Sequence, residues 1–250
     1  MNRKIGIIIQ ARVGSTRLPN KMLLPFYAEQ SILEIIIERL KNNLNLPIIL
    51  ATTTHSQDNQ LKEVVRMYGI ECFRGSESDV LQRFINAAEC FKIDVIVRVC
   101  ADNPFLSPEY IRQLVSSFQK QEADYISFKT EEGVPSIKTH YGFFAELVKL
   151  ESLKKIAEST NDLSCHEHIT KYIYENTSRF KINFLNIPFK ENKMVRLTID
   201  TPEDYEMAQT IFKHLKESKQ SVEPPIVLEY LSSQKQYLEL MYNQILLQQK

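Results

Sequence analysis

The 250-residue chain is short of several things, and each shortage excludes something. It has no excess of charge, because 31 basic and 31 acidic side chains cancel to a formal net charge of zero. Nucleic acids and membrane surfaces are engaged through positive patches, so neither partner is expected. Only four cysteines occur (Cys72, Cys90, Cys100 and Cys165), with no Cys-x-x-Cys pair among them. Their scatter argues against a zinc knuckle or a disulfide framework and fits a reducing compartment. No run approaches the roughly 18 apolar residues of a membrane span. The opening stretch MNRKIGIIIQARVGSTR carries one short apolar run that stops at a basic segment, without a signal core or a small-residue cleavage site. A cytoplasmic location is therefore expected. Glycine is scarce too, at six residues where a usual share of roughly 7% would give about three times as many.

What is present is an ordinary globular composition, 43% hydrophobic and 25% charged. A chain of this length buries well over two-thirds of its unfolded surface and needs no staples. Short branched runs alternate with segments of helical period. Strands are predicted at Ile5 to Ala11, Pro47 to Thr53, Ile70 to Phe73, Asp94 to Cys100 and Asp124 to Phe128. Between them, helices are predicted at Ser31 to Leu40, Asp58 to Tyr68, Asp79 to Phe91 and Ser107 to Gln121. Apolar strands separated by helices imply an α/β fold with a mainly parallel sheet covered on both faces.

The pattern blurs over residues 130–177, read as an inserted acceptor lid with a short strand at Gly142 to Leu147. Strands return at Phe180 to Ile187 and Met194 to Ile199. The helix Thr201 to Lys216 then opens on a threonine cap, Pro202 and the early carboxylates Glu203 and Asp204. One domain, residues 1–220, is expected, followed by a helical tail over 221–250. In that tail Leu228, Leu231, Tyr237, Leu240, Tyr242 and Leu246 repeat at helical spacing, as if to pack on the body or on a second subunit of a homodimer.

The most informative segment is Gln10-Ala11-Arg12-Val13-Gly14-Ser15-Thr16-Arg17-Leu18-Pro19-Asn20-Lys21. It follows the first strand, at the edge where open parallel sheets bind ligands. Gly14 and Ser15 permit a tight turn whose amides can face an anion. Arg12, Arg17 and Lys21 put three cations on one loop, which suits a polyphosphate. The G-x-G-x-x-G fingerprint of dinucleotide binding is absent, and so is a Walker loop. Asp102 lies just past a buried strand ahead of Pro104, and Asp200 ends a second apolar run just before a helix. Each could be a turn or cap residue; two such aspartates at strand ends, in a chain with a cationic loop suited to a triphosphate, favour a shared divalent ion. Arg98, inside an apolar strand, reads equally as half of a structural salt bridge or as a ligand contact. His166 and His168 are two apart and do not face each other on a helix, which argues against a zinc pair.

These residues resemble the motifs of the CTP-dependent nucleotidyltransferases that activate sugars and sugar acids. The likeness is strongest to the spore-coat-polysaccharide-type cytidylyltransferases, relatives of the CMP-Kdo and CMP-sialate synthetases. It runs colinearly from about Ile5 to Lys216. After the loop come Arg74-Gly75 with Asp79-Val80-Leu81-Gln82-Arg83-Phe84, then Val97-Arg98-Val99-Cys100-Ala101-Asp102-Asn103-Pro104-Phe105-Leu106. His166-Glu167-His168-Ile169-Thr170 with Tyr172 follows, and Leu197-Thr198-Ile199-Asp200-Thr201-Pro202-Glu203-Asp204 closes the series.

The resemblance implies a single-domain, Rossmann-like three-layer α/β/α fold of GT-A-like type. It implies a reaction in which CTP gives CMP to a sugar acid or phosphorylated acceptor with loss of pyrophosphate, in the making of capsule or surface polysaccharide. Arg12, Arg17 and Lys21 would be catalytic. Ala11, Gly14, Ser15, Arg74, Gly75 and Ala101 would touch the nucleotide, and Arg98, His140, His166, Glu167 and His168 the acceptor. Asp102 and Asp200 would ligate magnesium or manganese. Two departures bear on the acceptor. The family usually has arginine where His166 stands, and an acidic Asp-Val-Glu run where Lys138-Thr139-His140-Tyr141 occurs here. Drift on a loop would account for either. Other readings are a nucleotide-binding partner without turnover, a nucleotidyltransferase using another triphosphate, and a related glycosyltransferase, which would need an Asp-x-Asp motif where Ala101-Asp102-Asn103 stands.

Overall fold

Strand β1 (Ile5–Gln10) buries Ile7, Ile8 and Ile9 completely. A strand apolar on both faces must be central, and it is. The computed structural model describes residues 3–248; residues 1–2 and 249–250, inside the expected bounds of body and tail, lie outside the described residues. A small hairpin, β2 (Pro25–Tyr27) with β3 (Gln30–Ser31), leads into α1 (Ile32–Asn43), which starts on a Ser31–Glu34 capping box. Then come β4 (Ile48–Thr53), α2 (Asn59–Met67), β5 (Glu71–Gly75), α3 (Val80–Cys90), β6 (Val95–Cys100), α4 (Pro108–Lys120) and β7 (Tyr125–Lys129). The blurred region resolves into β8 (Glu146–Lys149), α5 (Leu150–Ser159), α6 (Leu163–Glu167) and α7 (Lys171–Glu175). The chain finishes with β9 (Ile182–Asn186), α8 (Pro202–Glu217), α9 (Pro224–Ser233) and α10 (Lys235–Gln248).

Seven strands form one sheet in the order β5-β4-β1-β6-β8-β7-β9. All run parallel except β8, which pairs antiparallel with both β6 and β7. Alternate side chains of each strand enter different cores. Ile7, Ile9, Leu50, Val97 and Val99 join α1, α2, α4 and α8, while Ile8, Ile49 and Ile96 join α3 and α5. Helices thus cover both faces, giving the expected three-layer α/β/α sandwich. No helix among the described residues is long and apolar enough to cross a membrane, and all four cysteines are free.

Three expectations need correction. Met194 to Ile199 is not a strand; it is an extended, largely buried run whose Leu197 and Thr198 amides donate to the His140 carbonyl and whose Ile199 amide donates to that of Asp102. Its apolar pattern reflects burial, which periodicity alone does not distinguish from a ladder. The strand expected at Gly142 to Leu147 runs instead over Glu146–Lys149. Gly142 bends the backbone at φ +67°, close against the Leu197 carbonyl, where a Cβ would come within 3.0 Å. In the tail the buried set is Val222, Pro224, Val227, Leu231, Leu238, Met241 and Ile245. Leu240, Tyr242 and Leu246 of the expected repeat face outward, each more than 40% exposed.

Candidate active site

The loop after β1 is held open by a residue from another strand's exit. Asp58 stands at the head of α2 but makes no capping bond there. Instead one carboxylate oxygen accepts from the Val13 amide at 2.8 Å, and the other takes the Thr52 and Thr53 hydroxyls and the Thr53 amide. Burial alone would raise this carboxyl, but those hydrogen bonds outweigh it and hold Asp58 below the usual carboxylate range. The loop then turns tightly, the Ser15 amide donating to the Val13 carbonyl at 2.8 Å. Gly14 is exposed, and a Cβ there would meet only Glu77 Oε1, at 4.0 Å, so open space lies over this turn.

The three loop cations part company. Arg12 is exposed and reaches Glu167 of α6 at 3.9 Å. Arg17, also exposed, contacts Asp200 Oδ1 at 3.0 Å. Lys21 is buried rather than free on the loop. Its ammonium donates to Asp102 Oδ2 at 3.1 Å and to the Ile199 carbonyl at 2.5 Å, with Asp200 Oδ1 at 3.8 Å. The physical reason is the mutual approach of two carboxylates, Asp102 just beyond β6 and Asp200 just before α8, which require a cation between them.

Both carboxylates therefore converge on one positive charge, a place that suits a divalent ion. Among the described residues no group of three or more His, Cys, Asp and Glu is arranged to hold a metal. Two carboxylates with phosphate oxygens and water are what magnesium commonly takes, so the donor set fits that ion.

Asp200 is positioned from behind by Arg196. This buried guanidinium donates to Asp204 through Nε and Nη2, to Asp200 Oδ2 at 2.9 Å, and to Nδ1 of His140 at 2.8 Å. Burial, then the Arg196 charge, pulls the His140 imidazole below its ordinary value, so it stays neutral and accepts that bond. Asp204 also completes the capping box of α8 with Thr201. His140 thus joins the carboxylate side of the site.

The other residues expected at the nucleotide have structural surroundings of their own. Arg74 donates to the Thr53 and His55 carbonyls and to Asn59, tying β5 to the β4 exit. Gly75 is required by packing, since a Cβ would sit 2.9 Å from the Phe73 ring and 3.0 Å from the Arg83 stem. Ala11 and Ala101 are buried beside the carboxyl ends of β1 and β6, where the Ala101 amide donates to the Gln10 carbonyl.

Of the acceptor candidates, Arg98 is paired. It meets Glu146 of β8 at 2.6 Å in a buried network that Tyr125, Thr170 and Gln10 complete, while its Nε has no partner among the described residues. His166 bridges Asp79, the cap of α3, at 2.9 Å and the Thr160 carbonyl at 3.1 Å. Glu167 faces Arg12, and His168 is exposed. The structure brings Arg12, Arg17, Lys21, Asp102, Asp200 and His140 to one edge of the sheet. It leaves Arg74 as a strut and sets His166 into the α3–α6 contact.

Sequence reasoning missed Asp58, Arg83 and Arg196. Arg196 interrupts an apolar run as Arg98 does, a legible sign of a buried cation. Arg83 is 1% exposed in α3, bonds the Ser76 carbonyl, leaves Nε unpartnered and has no carboxylate within ion-pair distance among the described residues. A buried, unpaired guanidinium is costly and belongs to the same search for charges on apolar faces.

Known proteins resemble this chain in sequence and in fold. The chain is 41% identical over 213 residues to an uncharacterised protein of Methanocaldococcus jannaschii, covering 84% of each. It is 32% identical to the spore coat polysaccharide biosynthesis protein SpsF of Bacillus subtilis, over 84% of this chain and 86% of that one. A solved cytidylyltransferase from Leptospira borgpetersenii superposes with a TM-score of 0.82 at 31% identity, covering 95% and 97% of the two chains. The model of the cytidylyltransferase family matches residues 6–246, from β1 into α10. On that match the chain belongs to the cytidylyltransferases, CTP-dependent nucleotidyltransferases built on this sandwich.

Proposed function

We propose that the chain transfers CMP from CTP to a sugar acid or a phosphorylated small molecule, releasing pyrophosphate, in the supply of surface-polysaccharide precursors. The observation that carries this reading is the meeting of Arg17, Lys21, Asp102 and Asp200 in one ion-paired cluster at the carboxyl ends of β1 and β6. An acceptor oxygen attacks the α-phosphorus, a new P–O bond forms, and the bond to the α,β-bridging oxygen breaks with its electron pair leaving on pyrophosphate. The difficulty is charge on the departing oxygen, so positioning and electrostatics dominate.

Arg12 and Arg17, the exposed cations of the loop, bind the phosphates. Lys21 keeps Asp102 and Asp200 at a fixed separation. Asp102 and Asp200 would hold magnesium or manganese, which supplies charge neutralisation at the phosphates when bound. The acceptor lies toward α6 and β8, where Glu167 faces Arg12.

Arg17→Ala tests the reading. Pyrophosphate release from CTP, measured with magnesium and a pool of sugar-acid and phosphate acceptors, should fall by about 10²- to 10³-fold. Its far-ultraviolet circular dichroism should match wild type, because the side chain is exposed. Turnover at the wild-type rate would overturn the assignment. Running the same assay with each of the four triphosphates tests the choice of CTP.

A further inference from the structure

The guanidiniums of Arg17 and Arg196 point at one more atom, and it comes from the tail. Gln248, in the last turn of α10, presents its amide oxygen to Arg17 Nη1 at 2.9 Å and to Arg196 Nη2 at 3.0 Å. Its amide nitrogen is buried and has no hydrogen-bond partner among the described residues. A carboxamide needs partners for both ends, and this one is satisfied only as an acceptor. The place between the two arginines is therefore made for a group that accepts on every side, as a phosphate oxygen does.

The helix that delivers Gln248 is seated lightly. Only Leu238, Met241 and Ile245 of α10 are buried, a single line at helical spacing, while Leu240, Tyr242, Leu246 and Leu247 are exposed. Between α8 and α10 runs an open groove of about 340 Å³, lined by Met207, Thr210, Tyr237, Leu240 and Gln244 among others. One residue, Gln234, joins α10 to α9, whose Val227 and Leu231 are buried.

We propose that the last turn of α10 competes with the nucleotide for this cluster: the Gln248 oxygen holds the seat of an anionic phosphate oxygen between Arg17 and Arg196, and the triphosphate of CTP displaces it on binding. The inference rests on the reading that the cluster binds CTP. A closed state lowers apparent affinity by the fraction of molecules that are open, so weakening the strap tightens nucleotide binding. Binding that merely recruited Gln248 would do the reverse.

Isothermal titration of CTP, and separately of pyrophosphate, into the full chain with magnesium tests this on wild type, Gln248→Ala and Gln248→Glu. The alanine variant should bind both ligands about fivefold tighter, the worth of one net hydrogen bond. The glutamate variant, which adds the charge that the two arginines lack, should bind both more weakly than wild type. Hydrogen exchange in peptides from residues 235–248 should accelerate at saturating CTP. Equal dissociation constants for the three proteins, weaker binding by Gln248→Ala, or slower exchange in α10 on CTP addition would each overturn the strap while leaving the nucleotide reading intact. Absence of CTP binding by all three would overturn that reading and the strap with it.

Discussion

Asp58 shows how one side chain can serve a distant segment at the expense of its own helix. Its four hydrogen bonds tie the loop after β1 to the exit of β4, and the α2 head goes without a side-chain cap. Asp58→Ala leaves the Val13 and Thr53 amides unsatisfied in the interior, and should cost about 3 kcal/mol in urea unfolding. Because this carboxyl is held below its ordinary value in the fold, its contribution is present above the usual carboxylate range and disappears as pH falls through the lowered value. The gap between wild type and Asp58→Ala should therefore narrow under acid.

Lys21 makes a second point at the same scale. Its ammonium already neutralises Asp102 and Asp200, so chelation by EDTA should leave the wild-type Tm nearly unchanged. Lys21→Met removes that charge and leaves the carboxylates facing each other. Its Tm in EDTA should drop by about 5 °C, and magnesium should restore most of the loss. A Lys21→Met Tm indifferent to magnesium would mean that the pair does not hold the ion.

Among the elements, α6 is the one whose docking depends on pH. His166 joins it to the cap of α3, and Asp79 with the Thr160 carbonyl raises the imidazole above its ordinary value against the opposing effect of burial; Asp162 adds to the rise. A raised histidine stabilises the fold fully below its unfolded value, about 6.5, and loses that contribution as pH climbs through the raised one. The Tm advantage of wild type over His166→Gln should be greatest near pH 5.5 and should have faded by pH 8.5. An arginine at this position would keep its charge across that whole range.

Strands β1, β4, β6 and β7 were readable because each is largely apolar and buried on both faces, and most of the helices between them because they carry one apolar stripe; the short β2–β3 hairpin had no such run. Met194 to Ile199 misled because a buried extended run without a ladder has the same composition as a strand. In the site, the loop and the two aspartates were legible by position at strand exits and helix starts. Asp58 was not, because an acidic residue at a helix start already has an ordinary explanation as a cap. Gln248 carried no signal, since a polar residue near the end of a glutamine-rich helix looks solvated.

At the scale of the whole molecule, the zero net charge is repeated in miniature. Arg17, Lys21 and Arg196 meet Asp102, Asp200 and Asp204 in one connected cluster, three charges of each sign. Such a cluster carries no net charge of its own. The tail, the sheet exits and the run before α8 all contribute to it, so the site belongs to the entire chain rather than to its first half.

The reversed strand β8 has a further consequence, for the order of assembly. β6 and β7 follow one another in the chain, yet β8 lies between them, so nothing joins them to each other until Glu146–Lys149 has doubled back. Pairings of this kind close large loops and form slowly. The Arg98–Glu146 contact, opposite each other in the β6–β8 ladder, fixes the register of that insertion. Glu146→Gln should therefore slow refolding severalfold in stopped-flow measurements; a change confined to the unfolding rate would show that the strand docks after the rate-limiting step. Until β8 arrives, no ladder joins β7 and β9 to the strands from β5 to β6.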